Sequence, residues 1–329
     1  MRAIVHEKKS GLEGLNYREI EEPNMEDYQV KVSIKYVGLN RRDLAVTTRH
    51  DPKDGPLIIG SDASGVIQEV GTKVQKWNVG DEVIIHPGTG WDENSDAPPE
   101  GFQITGFPDH GTFSDYMVVN ENDLSKKPKH LSLEEASVLA LAGLTAYRAL
   151  FTRGSLKAED TVMLPGIGSG VLTFMLKYAK SVGSRVVVTS RHQHKLEQAK
   201  ELGADIAIAT ESDWNEELKN ENVDLLIESV GKATFNKSLG IIRKGGTIVT
   251  FGATTEDIVE IDIRKFFYGQ FNLLGSTMGS NEELAEMISF IETHNIKPEL
   301  DRTYDASNFQ DAINYFKDSD QFGKIAIKM

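Results

Sequence analysis

The sequence predicts an α/β protein in which a β-rich domain is interrupted by a doubly wound parallel-sheet domain. The chain has 329 residues, which is more than one typical domain contains. Short apolar runs separated by glycine and proline turns fill the first 120 residues, and after Leu131 apolar strands alternate with amphipathic helices. The last residues match neither pattern alone, so we expect one domain at 1–143 with 280–329 and another at 144–279.

In the β-rich domain, runs of β-branched and aromatic residues predict strands, beginning with a short strand around Ala3–Val5. The further predicted strands are Gln29–Tyr36, Gly65–Val70, Asp81–His86 and Thr112–Val119. Residues Asp92–Gly101 are polar and include two prolines and a glycine, so we expect a surface loop there.

In the second domain, Ser132 followed by Glu135 forms a capping-box pattern that predicts a helix start, and an apolar run continues to Gly154. The predicted strands are Thr161–Leu164, Arg185–Thr189, Ile206–Ala209, Val223–Ile227 and Gly246–Phe251. The predicted helices are Gly170–Val182, His194–Leu202, Trp214–Asn220 and Thr234–Ile242. Because the strands are apolar throughout, they indicate a parallel sheet covered on both faces. Later elements are predicted at Leu273–Ser276 (strand), Glu282–Glu292 and Ser307–Lys317 (helices) and Gly323–Lys328 (strand).

Composition limits the classes of partner. The net charge of -14 disfavours binding to nucleic acid or to an anionic membrane surface. No stretch approaches the roughly 18 apolar residues of a membrane span, and the N-terminus lacks a secretory signal pattern, so we expect a cytoplasmic protein. The chain contains no cysteine, which excludes disulfides, thiolate catalysis and zinc sites built on cysteine sulfur.

A glycine turn follows the first strand of the parallel sheet. The segment Gly166, Gly168, Ser169, Gly170 and Val171 lies between a predicted strand and a predicted helix. In this context glycines let the backbone turn sharply and bring its N–H groups, at the positive end of the helix, close to a pyrophosphate. The sixth position of the usual pattern is Val171 rather than glycine. The turn therefore predicts dinucleotide binding, and an ordinary glycine turn is the alternative.

The end of the second parallel strand indicates which dinucleotide binds. Units that bind NAD usually have Asp or Glu here, which accepts hydrogen bonds from the adenosine ribose. Ser190 and Arg191 occupy this place instead, and Lys195 follows one turn into the next helix. These side chains favour a 2′-phosphate through charge-assisted hydrogen bonds, so the predicted cofactor is NADPH. The alternative is that Arg191 is only a solvated surface residue.

Several motifs together resemble the zinc-free quinone oxidoreductase-like branch of the medium-chain dehydrogenase/reductase (alcohol dehydrogenase-like) superfamily. The matching segments are the glycine turn and 37–43 (VGLNRRD), 57–65 (LIIGSDASG), 79–83 (VGDEV), 111–116 (GTFSDY), 142–147 (AGLTAY) and 274–278 (LGSTM). The resemblance covers nearly the whole chain. It implies a GroES-like catalytic domain interrupted by a Rossmann domain, with the active site in the cleft between them.

The resemblance also implies that both metal sites of the zinc-dependent relatives are absent. Asn40, Ser61 and Ala142 stand where those relatives have the three ligands of the catalytic zinc, and none of the three is a competent zinc ligand. The segment Trp91–Gly106, where the four-cysteine structural lobe would fall, has no cysteine. No metal site is therefore predicted.

Without a Lewis acid, reduction of an activated acceptor is easier than oxidation of a simple alcohol, because the oxyanion that forms is delocalised. The predicted activity is NADPH-dependent reduction of a quinone or an α,β-unsaturated ketone or aldehyde. Asn40 is a candidate donor to the acceptor oxygen and Thr145 a candidate contact to the nicotinamide, with loop stabilisation as the alternative for Asn40. Further cofactor contacts are predicted at strand ends: Val230, Gly231, Phe251, Gly252, Ser276 and Thr277.

Two other functions share the same motifs. One is an NADPH-binding protein of this fold with a structural or interaction role, and the other is a zinc-free alcohol dehydrogenase-like enzyme. Relatives commonly dimerise through an edge strand of the Rossmann sheet. The predicted strand at 271–275 with the preceding aromatic segment Ile261–Tyr268 is the candidate surface for a homodimer, and core packing is its alternative explanation.

Overall fold

The computed structural model describes all 329 residues. The chain forms two compact units, one made of Met1–Leu144 with Gly279–Met329 and the other of Thr145–Met278. No helix has both the length and the apolar character needed to cross a membrane.

The elements in chain order are as follows. Residues 1–144 contain the strands β1 (Arg2–His6), β2 (Leu15–Glu19), β3 (Gln29–Gly38), β4 (Leu57–Ile58), β5 (Asp62–Val70), β6 (Glu82–Ile85), β7 (Gly88–Thr89), β8 (Gln103–Ile104), β9 (Tyr116–Asn120) and β10 (Leu124–Lys126). The helices α1 (Arg41–Arg49) and α2 (Leu133–Ala136) belong to the same residues, and α3 (Ala140–Tyr147) contains the boundary between the units. The second unit continues with β11 (Thr161–Pro165), α4 (Gly170–Ser181), β12 (Arg185–Ser190), α5 (Gln193–Glu201), β13 (Ile206–Ala209), α6 (Trp214–Glu217), β14 (Val223–Glu228), α7 (Phe235–Ile241), β15 (Ile242–Thr250), α8 (Ile263–Gly269) and β16 (Asn272–Gly275). The last residues form α9 (Asn281–Thr293), β17 (Leu300–Asp305), α10 (Phe309–Lys317) and β18 (Lys324–Lys328).

The first unit is built on a seven-stranded sheet with the order β10-β6-β5-β3-β18-β17, in which β9 also pairs with β3. The residues of β3 alternate between buried and more exposed positions, as expected for a strand with one face on the core. A three-stranded sheet, β2-β1-β4, packs its apolar side chains into the same hydrophobic core. The C-terminal strand β18 pairs antiparallel with β3, so the end of the chain returns to the first unit.

The second unit is a six-stranded parallel sheet with the order β13-β12-β11-β14-β15-β16. All residues of β11 are buried, and β12 is buried except for its first residue. Strands buried on both faces need no alternation of polar and apolar residues, which explains their continuous apolar sequences. The strand order reverses direction between β11 and β14, which is the arrangement of a dinucleotide-binding fold. The predicted α/β class, with a GroES-like and a Rossmann domain, is confirmed.

Some predicted boundaries are wrong. The helix expected to run from Ser132 to Gly154 is broken after Ala136, because the backbone N–H of Leu141 donates to the Asp62 carboxylate (2.7 Å) and the chain turns to reach it. It ends in a π-helical segment, Arg148–Arg153. The capping box of Ser132 and Glu135 at its start is present.

Two further predictions need correction, and one helix was missed. The strand expected at Thr112–Val119 begins only at Tyr116, since Thr112 and Phe113 bond to the loop at Ile59–Gly60 instead. The helix expected at Trp214–Asn220 is a single turn that ends at Glu217. The helix α1 was not predicted at all, although Asn40 and Asp43 begin it.

The segment 91–106 is held by a buried tryptophan and by the first turn of α9. Trp91 is buried, its Nε1 donates to Ser95 Oγ (2.9 Å), and its ring packs edge-on against Phe102. The first turn of α9 holds the segment, because Asn281 N donates to Trp91 O (2.8 Å) and Glu282 N donates to Asp92 O (2.9 Å). An aromatic anchor and a helix N-terminus therefore fix this loop.

A buried histidine pair joins β1 to the end of α1. His6 Nδ1 lies 2.8 Å from His50 Nδ1, and His6 Nε2 lies 3.1 Å from Gly11 O. Because a carbonyl only accepts, His6 carries its hydrogen on Nε2, and its Nδ1 accepts from His50 Nδ1–H. Burial lowers the pKa of His6, and the nearby His50 lowers it further, while the carbonyl of Gly11 opposes the shift. The pKa of His110 is also lowered, mainly by burial and in part by the nearby His50.

We expect this pair to make the protein less stable in acid. The pKa of His6 is lower in the folded state than its ordinary value of 6.5, so the unfolded state binds the proton more tightly. The free energy of unfolding should therefore be highest above that value and fall as the pH is lowered through it. Urea titrations between about pH 8 and pH 5 measure this slope, which should be smaller in His6→Gln and unchanged in His294→Gln, an exposed histidine of the same unit. Equal slopes in all three proteins would contradict the assignment.

Candidate functional site

Five strand ends meet at one edge of the parallel sheet, and the predicted cofactor contacts follow them directly. Because all six strands are parallel, their carboxyl ends lie on the same edge, and sheets of this kind bind ligands where the strand order reverses, here between β11 and β14. The predicted residues lie at the starts of five connections. Gly166 follows β11, Arg191 follows β12, Val230 and Gly231 follow β14, Phe251 and Gly252 follow β15, and Ser276 and Thr277 follow β16.

The glycine turn after β11 has the backbone that only glycine adopts readily. Gly166 and Gly168 have φ values of +81° and +125°. Thr189 at the end of β12 holds the turn, because its carbonyl accepts from Gly166 N (3.0 Å) and from Ile167 N (2.8 Å). Ser169 begins α4, and its Oγ accepts from Leu172 N (3.3 Å). The turn thus delivers the chain to the N-terminus of a twelve-residue helix that contains Gly170 and Val171.

A lysine side chain lies on the glycine turn. Lys195 in α5 is 5% exposed, and a Cβ placed on Gly168 would lie 2.8 Å from Lys195 Cδ and 3.4 Å from its Nζ. An ammonium group and the positive end of α4 therefore come together at the turn. Both favour an anion, so the residues present fit a pyrophosphate-containing cofactor.

The end of β12 presents a hydroxyl and a guanidinium group where other dinucleotide sites have a carboxylate. Ser190 is buried, and its Oγ accepts from His192 N (3.1 Å). Arg191 is the first residue after the strand and is exposed. No acidic side chain stands at these two positions to repel a phosphate.

In the first unit, Asn40, Asp62 and Lys324 form a buried polar network. Lys324 Nζ donates to Asn40 Oδ1 (2.6 Å) and to Leu39 O (2.8 Å), and lies 3.3 Å from Asp62 Oδ2. Asn40 Nδ2 donates to Asp62 Oδ2 (2.9 Å) and to Gly38 O (3.3 Å). Burial lowers the pKa of the Lys324 ammonium, whereas the carboxylate of Asp62 raises it.

Asp43 extends this network into α1. Its Oδ2 accepts from Asn40 N (2.7 Å), while its Oδ1 is buried without a hydrogen-bond partner. Complete burial raises the pKa of the Asp43 carboxyl to about 7, although the bond from Asn40 N and the charge of Lys324 lower it. Asp43 thus fixes the start of α1 at Asn40.

The three residues at the positions of the zinc ligands do not fit a zinc ion. Asn40 Oδ1 already accepts from an ammonium group, whose positive charge would repel a second cation. Ser61 Oγ donates to Thr105 O (2.6 Å), and Ala142 has no donor atom in its side chain. The donor set and the resident positive charge of Lys324 both oppose metal binding.

The two predicted catalytic residues lie in different units. Asn40 is buried in the first unit, and both hydrogens of its amide are donated within the network. Thr145 begins the second unit on α3 and is 7% exposed.

Sequence reasoning overlooked three charged residues that organise these sites: Asp62, Lys324 and Glu228. Asp62 was part of a recognised motif, but its contacts come from segments far apart in the sequence. Lys324 begins the last strand, where a lysine is normally solvated. Glu228 is the last residue of the otherwise largely apolar strand VDLLIE. An acidic residue at the end of such a strand could have indicated a functional position.

Comparisons with known proteins agree with this architecture. Residues 26–129 match the family profile described as alcohol dehydrogenase GroES-like domain, and residues 170–293 match the profile described as zinc-binding dehydrogenase. A zinc-type alcohol dehydrogenase-like protein of Leptosphaeria maculans, YogA, is 31% identical over 327 residues, covering 92% of this chain and 90% of that protein. The crotonyl-CoA reductase of Streptomyces collinus is 30% identical over 79% of this chain and 64% of that protein. A crystal structure described as an NAD-dependent alcohol dehydrogenase superimposes with a TM-score of 0.94 at 31% identity, covering all of both chains.

The fold and the sites define a two-domain protein of the oxidoreductase type, with a GroES-like domain and a dinucleotide-binding sheet. The chain belongs to the medium-chain dehydrogenase/reductase (alcohol dehydrogenase-like) superfamily.

We expect the Lys324–Asp62 pair to be strongly coupled. Lys324→Met leaves the Asp62 carboxylate buried without its cation, which should lower the free energy of unfolding by about 3–5 kcal/mol. Lys324→Met combined with Asp62→Asn removes both charges, so the double variant should be no less stable than Lys324→Met alone. Urea unfolding of the wild type, Lys324→Met, Asp62→Asn and the double variant measures this cycle. Strictly additive losses would show that the two charges do not interact.

Proposed function

We propose that the chain is an NADPH-dependent, zinc-independent oxidoreductase that transfers a hydride to an activated carbonyl acceptor, a quinone or an α,β-unsaturated ketone or aldehyde. The observation that carries this proposal is the buried contact between Lys324 Nζ and Asn40 Oδ1 (2.6 Å), which fills a zinc-ligand position with a hydrogen-bonded cation. Alcohol oxidation needs a Lewis acid to hold the alkoxide, whereas activated acceptors delocalise the negative charge themselves.

The second unit supplies the proposed cofactor site. Its proposed contacts are Gly166, Gly168, Ser169, Gly170, Val171, Ser190, Arg191, Lys195, Val230, Gly231, Phe251, Gly252, Ser276 and Thr277. A bound nicotinamide dinucleotide supplies the hydride, and the protein supplies binding and orientation. The positive φ at Gly166 and Gly168, the N-terminus of α4 and the buried Lys195 support a pyrophosphate at the turn.

The choice of NADPH rests on Ser190 and Arg191. A 2′-phosphate carries nearly two negative charges at neutral pH, and an exposed guanidinium group at the end of β12 can bind it bidentately. Lys195, in the helix that follows this strand end, adds a positive charge at the glycine turn of the same proposed cofactor site. The solved relative described as NAD-dependent shows that the fold also accommodates the other cofactor. The selectivity is therefore assigned to these side chains and not to the backbone.

Asn40 is the proposed donor to the acceptor oxygen. Donation from the Asn40 amide to an acceptor oxygen requires exchange of its bond to Gly38 O, which at 3.3 Å is the longer of the two. Thr145 is the proposed contact to the nicotinamide. The similarity to a crotonyl-CoA reductase, a name that denotes reduction of an α,β-unsaturated acyl group, supports an enoyl acceptor.

A homodimer is proposed through the edge of the parallel sheet. The strand β16 pairs only with β15, which leaves its other edge open. Ile263, Phe267 and Tyr268 of α8 and Leu273 of β16 expose between 39% and 72% of their surface. Phe266 and Phe271 of the same segment pack into the core, so core packing explains only part of this aromatic sequence.

Steady-state assays test the proposed activity. With NADPH we expect oxidation of the cofactor by a benzoquinone, by phenanthrenequinone or by an α,β-unsaturated ketone, at a rate that a chelator does not change. Binding of NADPH without turnover across this panel would favour the structural or interaction role. Turnover of a simple alcohol that is abolished by a chelator would instead establish a metal-dependent alcohol dehydrogenase.

Arg191→Ala tests the cofactor preference. The loss of a charged hydrogen bond worth about 1.5–3 kcal/mol should weaken NADPH by about tenfold or more and leave NADH nearly unchanged. Lys200→Ala, an exposed lysine on α5, is the matched control and should leave both affinities unchanged. Fluorescence titration gives the dissociation constants. Equal losses for the two cofactors in Arg191→Ala would contradict a contact with the 2′-phosphate.

A further inference from the structure

A fully buried carboxyl group closes the strand next to the glycine turn. Glu228 is the last residue of β14 and has no exposed surface. Its Oε1 accepts from Val230 N (2.8 Å) and from Gly231 N (3.2 Å). Thr234 Oγ1 donates to both carboxyl oxygens, at 2.9 and 3.0 Å, and Ser238 Oγ donates to Oε2 at 2.8 Å. Every donor to this group is uncharged.

Burying a carboxyl group in this way costs free energy of folding, but the group holds part of the backbone in place. Burying a carboxylate loses its hydration, and an apolar residue would suit this place in the core, as Leu226 and Ile227 do in the same strand. What Glu228 does, and an apolar residue cannot, is hold two consecutive backbone N–H groups of the connection after β14. The hydroxyls of Thr234 and Ser238 at the start of α7 hold the carboxyl group in place from the other side.

The connection 229–231 is clamped from a second direction. Thr255 donates to Val230 O through both its backbone N (2.9 Å) and its Oγ1 (2.7 Å), and Thr254 N donates to Ser229 O (3.1 Å). Gly231 has a φ of +91°, and a Cβ there would lie 2.6 Å from Glu256 O. This short segment therefore has one backbone path, which Glu228 on one side and residues 254–256 on the other determine.

The fixed segment touches the glycine turn. A Cβ on Gly166 would lie 3.0 Å from Val230 Cγ2, so the Val230 side chain forms a wall of the turn. The two connections leave adjacent strands at the point where the sheet order reverses. A shift of Val230 would change the width of the turn on this side.

We infer that Glu228 is a positioning residue for dinucleotide binding: its buried carboxyl group holds the Val230 and Gly231 amides and thereby sets the wall of the glycine turn. The inference rests on the proposed function, since it assumes that a nicotinamide dinucleotide binds there. Glu228 acts through Val230 and not on the reacting atoms, so its removal should change affinity and leave the turnover of the saturated enzyme nearly unchanged.

The test is the dissociation constant of NADPH, measured by fluorescence titration of the purified full-length chain. In Glu228→Gln a neutral amide oxygen replaces the carboxylate oxygen that accepts from both N–H groups, which weakens these charge-assisted bonds, and the constant should rise about tenfold. Thr234→Val removes one of the two hydroxyls that hold the carboxyl group and should raise the constant severalfold. Glu217→Gln, an exposed glutamate on α6, is the matched control and should match the wild type.

Two further readouts separate positioning from a general loss of structure. Amide hydrogen exchange should accelerate at Val230 and Gly231 in both the Glu228→Gln and the Thr234→Val variants, whereas the unfolding midpoint of Thr234→Val should fall little. At saturating NADPH, kcat should stay close to that of the wild type while KM for NADPH rises. If Glu228→Gln does not fold, Thr234→Val alone decides.

The outcomes distinguish the inference from the function on which it rests. A wild type that binds neither NADPH nor NADH overturns the proposed function itself. A wild type that binds NADPH, with unchanged affinity and unchanged exchange in Glu228→Gln and Thr234→Val, overturns the role of Glu228 alone. If the variants lose NADPH affinity only to the extent that their unfolding midpoints fall, Glu228 is a structural residue, and this result also overturns the inference.

Discussion

The buried ion pair of Lys324 and Asp62 is the interaction on which the organisation of the first unit depends. Lys324 lies in the last strand, Asp62 at the start of β5 and Asn40 at the beginning of α1. Direct hydrogen bonds among these three side chains connect the three elements. Asp62 also accepts from Leu141 N, which fixes where α3 begins. Removing one partner of a buried ion pair leaves an uncompensated charge and strongly lowers the free energy of unfolding. The network therefore constrains both the local fold and what can bind there.

The second unit depends on a backbone constraint of a different kind. Two left-handed glycines bring the chain from β11 to the N-terminus of α4, and Thr189, Lys195 and Val230 surround the resulting turn. The anion-binding character comes from main-chain N–H groups and one ammonium group, while Glu228 fixes the neighbouring connection. In the proposed function, binding and cofactor preference belong to separate parts of this unit: the turn would bind the pyrophosphate, and the strand end after β12 would select between the two cofactors.

The sequence was sufficient for the fold class because apolar strands, a glycine turn and a following helix are local patterns. The network around Asn40 could not be predicted from such patterns. Lys324 and Asp62 are 262 residues apart in the sequence, and each looks like an ordinary surface residue until the strands pair. The bounds of the helix after Ser132 were wrong for the same reason: the backbone N–H of Leu141 donates to the carboxylate of Asp62, which is distant in the sequence. Glu228 was visible as an acid at the end of an apolar strand, but only the folded connection shows that its partners are backbone amides.

We expect the hydrogen-bonded Lys324 to exclude a metal from the position of the zinc ligands. The direct measurement is anomalous diffraction at the zinc edge from crystals of the wild-type protein soaked with zinc and NADPH. We expect no anomalous peak within bonding distance of Asn40 Oδ1 or Ser61 Oγ, with Lys324 Nζ still in contact with Asn40. A peak coordinated by these atoms, with Lys324 displaced from them, would contradict the account.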